Sequence, residues 1–203
     1  MEIRNLEPRE VFFYFEEIAK IPHGSGNTQA ISNYLVSFAK ERKLEHYRDE
    51  LGNVIIIKEA SKGYEDREPV MLQGHMDMVP QKSAAKQHDF LTDPIETRIE
   101  GDWVKACDTT LGADNGIGAA AILAILEDKT LVHGPVEALF TATEETGMDG
   151  AFGLKGGLLQ GDILLNLDSE TEGELYVGCA GGVDANITLP YTAEAAPAGY
   201  AAY

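Results

Sequence analysis

The chain has 203 residues, 44 % of them hydrophobic, which is enough to bury one sizeable core and is not the composition of a disordered chain. A formal net charge of −18 repels phosphate backbones and anionic lipid, so nucleic acid and membrane surfaces are poor partners. No apolar run reaches the roughly 18 residues of a membrane span, no basic-then-apolar leader opens the sequence, and the two separated cysteines, Cys107 and Cys179, read as free thiols of a reducing, cytoplasmic compartment.

In chain order, Phe12, Phe13, Phe15, Ile18 and Ala19 recur near helical spacing after Pro8 and predict a first helix. Gly24-Ser25-Gly26-Asn27 predicts a turn. Asn27 or Thr28 is then placed to cap a second helix with Ile31, Leu35 and Phe38 on one face. Residues 54–57 are β-branched and predict a short buried strand, and 70–72 predict another. Residues 80–94 are polar and read as a loop, with a brief edge strand over 102–105. A long helix is expected from near Asp114 through Ile117, Ala121, Ile122, Ile125 and Leu126. Its alanines and glycines suit close packing on a sheet, and Asp114 is placed to cap it. Strands are expected over 136–143 and 163–167, and further ones over 175–177 and 183–189. The tail, 193–203, has no clear period. Strands alternating with helices predict an α/β fold, a layered sheet flanked by helices.

The chemistry collects at element ends. Residues 70–74 run into His75-Met76-Asp77, 138–143 into Glu144-Glu145, and 163–167 into Asp168, while Gly112-Ala113-Asp114-Asn115-Gly116 leads into the long helix. Ligands of open α/β sheets bind beyond the carboxyl ends of the strands. If these strands are parallel neighbours, one imidazole and several carboxylates meet there. Crowded carboxylates disfavour joint ionisation. Bound divalent cations relieve this, and His, Asp and Glu are the ligand types of catalytic zinc sites. In an extended chain, positions two apart point the same way, so Asp77 can accept the second ring N–H of His75. The side chains of Glu144 and Glu145 diverge, so one can bind metal while the other faces the adjacent water as a general base. Each residue also has an ordinary reading: a salt bridge for His75, surface glutamates before a turn, a helix cap at Asp114, a loop aspartate at Asp168. Four such accidents together are less economical than one shared site.

The segments Gly74-His75-Met76-Asp77-Met78-Val79-Pro80, Leu111-Gly112-Ala113-Asp114-Asn115-Gly116, Ala142-Thr143-Glu144-Glu145-Thr146-Gly147 and Asn166-Leu167-Asp168-Ser169-Glu170 resemble, in this order, the M20 metallopeptidases, and within them the aminoacyl-histidine dipeptidase branch. The resemblance implies two zinc ions, with manganese or cobalt as alternatives. It places His75 and Asp168 on one ion, Glu145 on the other and Asp114 between them, with Glu144 as general base and Asp77 orienting His75. The peptide after Asp114 is often cis in such proteins. The implied reaction is hydrolysis of dipeptides of Xaa-His type, with small peptides as partners and a possible homodimer of the full-length protein. N-acyl amino acids or longer peptides are the alternative substrates, and a non-catalytic metal-binding fragment is the alternative role. Members of the family are about twice this length and supply a last histidine ligand late in the chain, whereas no histidine follows Asp168 here. Residues 1–180 are therefore expected to be the N-terminal part of the catalytic domain. Residues 181–203, after Gly178-Cys179-Ala180-Gly181-Gly182, are expected to open a truncated lid or dimerisation domain.

Overall fold

The computed structural model describes residues 2–179, 181–183, 185–192, 195 and 199. They divide into two compact units, 1–170 and 171–203. The first holds every helix and strand among the described residues.

After a 3₁₀ turn at Ile3–Asn5, helix α1 spans Arg9–Ala19 and α2 spans Gln29–Arg42. Both helices form where the apolar spacing places them, but α1 buries Tyr14, Phe15, Ile18 and Ala19 and leaves Phe13 exposed. Thr28 occupies the cap position of α2, but neither it nor Asn27 makes a side-chain cap bond to the first turn. Strands β1 (Glu45–Arg48), β2 (Val54–Lys58) and β3 (Val70–His75) follow, then a separate hairpin of β4 (Thr97–Glu100) and β5 (Trp103–Ala106). The chain closes the unit with α3 (Ala113–Glu127), β6 (Val136–Thr141), the short α4 (Asp149–Gly153) and β7 (Ile163–Asn166).

The main sheet has the order β1-β2-β6-β3-β7. β1 and β2 pair antiparallel, as do β2 and β6, while β3 is parallel to both β6 and β7. The three strands that end in metal-type residues are therefore parallel neighbours with β3 in the middle. Register aligns Leu72 with Ala138 and Gly74 with Phe140, so alternate residues face one core. That core joins Val54, Ile56, Leu72, Ala138 and Phe140 of the sheet to Phe15 and Ile18 of α1, Leu35 and Phe38 of α2, and Ile122 and Leu123 of α3. Helix α3 carries no charge between Asp114 and Glu127, as befits a helix buried on most sides. Gly74 and Gly118 let α3 approach the sheet. A Cβ on Gly118 would lie 2.7 Å from the Leu167 carbonyl oxygen, and one on Gly74 would lie 2.8 Å from Asn115 Oδ1.

Three expectations need correction. Asp114 does not cap α3. It and Asn115 have non-helical backbone, the Asp114–Asn115 peptide is cis, and Gly112 stands at the cap position with φ +73. The carboxylate of Asp114 is instead turned toward His75. The strands expected over 175–177 and 183–189 are not formed among the described residues. Leu175, Val177, Val183, Ile187 and Leu189 are almost fully exposed, and an apolar run has no strand structure without a neighbour to accept its backbone hydrogen bonds. The tail at 193–203 lies outside the described residues except for positions 195 and 199. Among the described residues, no helix is long and apolar enough to cross a membrane.

Candidate metal centre

His75 is the last residue of β3 and is 1 % exposed. Its Nε2 points out of the strand end, 2.9 Å from Asp114 Oδ1, 3.6 Å from Asp168 Oδ1 and 3.9 Å from Glu144 Oε2. Ligand atoms of His75, Asp114 and Asp168 lie within 4.8 Å of one another, and so do those of His75, Glu144 and Glu145. All the residues singled out at the strand ends thus converge on one imidazole.

The other ring nitrogen, Nδ1, faces Asp77. The nearer oxygen is the main-chain carbonyl of Asp77 at 2.9 Å, and the carboxylate Oδ1 is at 3.3 Å. Backbone and side chain of one residue thus both present an oxygen to Nδ1. A proton held on Nδ1 leaves the Nε2 lone pair aimed at the cluster, the tautomer a metal needs. The Asp77 side chain is fully buried. It accepts hydrogen bonds from Ser25 Oγ at 2.8 Å, from the Glu144 N–H at 3.0 Å and from the Glu145 N–H at 3.4 Å.

Glu144 and Glu145 lie in the loop after β6, and a carboxylate oxygen of each lies within 4.8 Å of the other and of a His75 ring nitrogen, so the two side chains reach the same cluster although they line different cavities. Glu144 lines a cavity of about 210 Å³ together with Asp168, Gln73 and Thr141. Glu145 lines another, about 270 Å³, with Asp114 and Thr110. The loop is pinned by Asn53, a buried residue that lies far off in sequence. Its Oδ1 accepts the Ala142 N–H at 2.9 Å, and its Nδ2 donates to the Gly150 carbonyl at 2.8 Å.

Asp168 is held from two sides. Asn115 Nδ2 donates to its carboxylate and, at 2.9 Å, to the Leu167 carbonyl. Across the sheet, Gln73 donates to Thr141 Oγ1 and accepts from Asn166 Nδ2, and Asn166 Oδ1 accepts the Asp168 N–H at 3.2 Å. Asn53, Ser25, Gln73 and Asn115 were not singled out as functional by sequence reasoning. As polar residues in turns or at strand ends, each is indistinguishable in sequence from a solvated one. Asn115 alone carried a signal, its place between Asp114 and Gly116 in a quoted motif.

The electrostatics follow from this crowding. Burial opposes charge on His75, but the hydrogen bonds to Asp77 and Asp114 and the charge of Asp168 outweigh it and push the imidazole up to about 9. Burial raises Glu144, and Asp168, Asp77 and Asp114 raise it further against the opposing pull of His75. Burial and then Asp114 raise Glu145. Asp168 is also raised, by burial first and by Asp114, although Asn115 and His75 oppose this. Asp77 moves the other way: burial would raise it, but bonds from His75, Ser25 and the Glu144 N–H hold it below its ordinary value. Three carboxyls that resist ionisation around one imidazole form a donor set that divalent cations would relieve. The residues present fit metal binding, with His75, Asp114, Asp168, Glu144 and Glu145 as the available ligands.

Residues 71–191 match the model of peptidase family M20/M25/M40. The chain is 53 % identical over 199 residues to the cytosol non-specific dipeptidase of Escherichia coli (strain K12), a match covering 98 % of this chain and 41 % of that protein. Among solved structures it is similar to aminoacylhistidine dipeptidase from Vibrio alginolyticus, with 52 % identity and a TM-score of 0.86 over 88 % of this chain and 36 % of that one. A tripeptidase from Staphylococcus aureus shares the fold at 22 % identity, with a TM-score of 0.68 over 82 % of this chain and 44 % of that one. The chain spans about two fifths of the length of the dipeptidases it matches.

Proposed function

The chain belongs to peptidase family M20/M25/M40, and on that premise we propose that the intact protein hydrolyses dipeptides, Xaa-His among them, using two divalent cations. The observation that carries this is the convergence of Asp114, Asp168, Glu144 and Glu145 on His75 in a chain of this family. His75 and Asp168 would hold one ion and Glu145 the other, with Asp114 shared. Zinc suits this His and carboxylate set; manganese and cobalt are the alternatives. When bound, the ions supply positive charge that acidifies a water and polarises the scissile carbonyl. Asp77 fixes the imidazole through Nδ1. Glu144, on the cavity side of the cluster, takes the proton of the attacking water and returns it to the amine nitrogen as the C–N bond breaks.

A cytoplasmic location belongs to the same proposal and is supported by the naming of the E. coli relative as a cytosol enzyme. So does the assignment of residues 1–180 to a catalytic domain and 181–203 to the start of a lid. Replacing Glu144 by Gln in the intact protein is expected to lower kcat by at least about 10²–10⁴-fold with metal content unchanged. Retention of most activity would refute the role of Glu144. Xaa-His dipeptides assayed beside N-acetyl amino acids test the substrate class.

One observation favours a second reading. The cluster among the described residues contains a single imidazole. A chain with this ligand set alone would be a metal-binding module without turnover, which metal analysis and peptidase assay of the 203-residue chain would reveal.

A further inference from the structure

We infer that Ser25 is a positioning residue of the metal centre, acting through Asp77. This rests on the metal-centre reading above and extends it to a residue of the turn after α1. The turn is held against the strand end by the backbone. Met78 N–H donates to the His23 carbonyl at 3.1 Å, and Ser25 N–H donates to the Met78 carbonyl at 3.0 Å. This sets Ser25 Oγ 2.8 Å from Asp77 Oδ2 and 3.2 Å from the Met78 carbonyl. The hydroxyl has one proton, and the shorter, charged acceptor takes it.

Asp77 is where the ligands are tied together. One carboxylate stands beside Nδ1 of His75 and receives the main-chain N–H groups of Glu144 and Glu145. Its orientation therefore sets both the imidazole and the loop that carries the two glutamates. Oδ1 is fixed by the Glu144 N–H at 3.0 Å. Among the described residues, Oδ2 has only the Glu145 N–H, at 3.4 Å, besides Ser25. Without the hydroxyl, the buried carboxylate loses the one close donor on that oxygen. It can then rotate away from the geometry that aims Nε2 and holds residues 144–145. Outer partners of this kind typically matter by about 10–100-fold in metal affinity. Ser25 touches Asp77 and is not among the groups gathered at His75, so it acts on the ligands and does not replace one.

The test is Zn²⁺ affinity of the intact protein, measured by competition with a chromophoric chelator, for wild type, S25A, S25T, D77N and S25A/D77N. Thermal unfolding of each metal-free form is recorded alongside. S25A is expected to bind Zn²⁺ about 10–100-fold more weakly at a temperature where its metal-free form is fully folded, with a lowered metal-free melting temperature because the buried Asp77 carboxylate loses a donor, and S25T, which keeps the hydroxyl, to restore both. The double variant is expected to bind no more weakly than D77N, because both changes act through one carboxylate. Wild-type affinity in S25A, additive losses in the double variant, or an S25T variant that regains the melting temperature but not Zn²⁺ affinity would each overturn the role of Ser25 and leave the metal centre standing. Failure of the wild-type protein to bind Zn²⁺ would overturn the metal centre and this inference with it.

Discussion

Replacing Asn53 by Ala removes the clamp on the loop that carries Glu144 and Glu145. Asn53 is 1 % exposed, and its amide makes three bonds: to Asp49 Oδ2 at 2.7 Å, to the Gly150 carbonyl at 2.8 Å and from the Ala142 N–H at 2.9 Å. Asp49 is half-buried and keeps its bonds from the Leu51 and Asn53 N–H groups, so its loss is small. The Ala142 N–H and the Gly150 carbonyl are left inside without the amide. At about 1–3 kcal/mol for each stranded group, the cost is about 2–6 kcal/mol, a large part of the roughly 5–15 kcal/mol typical of a domain. Urea unfolding should show a lower midpoint at an unchanged slope. Hydrogen exchange should show faster exchange of the Ala142 amide. Asn53→Asp is the sharper control: it is isosteric but sets an acceptor against Gly150 O and Asp49 Oδ2, so it should be no more stable than the alanine variant. If N53A lost less than about 0.5 kcal/mol, the range of an ordinary surface change, or N53D matched the wild type, the clamp would not exist.

Other outcomes follow from the same geometry. Metal binding must displace the proton from His75, which is pushed up to about 9. Zn²⁺ affinity measured against pH should therefore rise by up to about tenfold per unit between pH 6.5 and 9, and a flat profile would place the imidazole outside the site. The metal-free protein should lose stability over that range. The raised His75 contributes fully below its unfolded value of 6.5, and this contribution is lost as pH rises through about 9. The raised carboxyls of Glu144, Glu145 and Asp168 push in the same direction, from their unfolded range upward. Asp77, held low, removes stability only at the acid end, as pH falls through its folded value. Melting temperatures recorded in chelator across pH check this. Gly118→Ala places a Cβ 2.7 Å from the Leu167 carbonyl and 2.1 Å from Asn115 Oδ1. It should cost about 1–3 kcal/mol by pushing α3 off the sheet and should also weaken metal binding, since Asn115 holds Asp168.

The parts of the fold legible in the sequence were those with a strong period or composition. α1 and α2 show their buried stripes, β2 is nearly all β-branched, and α3 is apolar over three turns. β1 was not legible. Glu45-His46-Tyr47-Arg48 has no apolar alternation, and it is a strand because β2 offers it a free edge. The five residues of α4 are too few for a period. For the site, strand ends and residue types sufficed to gather His75, Asp114, Glu144, Glu145 and Asp168. The local conformation at Asp114 was not readable, because a carboxylate at a helix start is the ordinary signature of a cap. Whether it turns onto the helix or away depends on two non-helical residues that only the packed structure specifies. The supporting amides and hydroxyl, Asn53, Asn115, Gln73 and Ser25, were unreadable for a related reason. Apart from Asp49, a neighbour of Asn53, these partners are 52 to 97 residues distant, and no local pattern encodes such a bond.

On the proposed function, these carboxylates and one imidazole hold cations. A crystal of the intact protein grown with Zn²⁺ and recorded on both sides of the zinc absorption edge tests it directly. Anomalous density is expected beside His75 Nε2, with Asp114 and Asp168 as neighbours, and again beside Glu145. Zinc bound only elsewhere on the surface, with His75 Nε2 still hydrogen-bonded to Asp114, would contradict it.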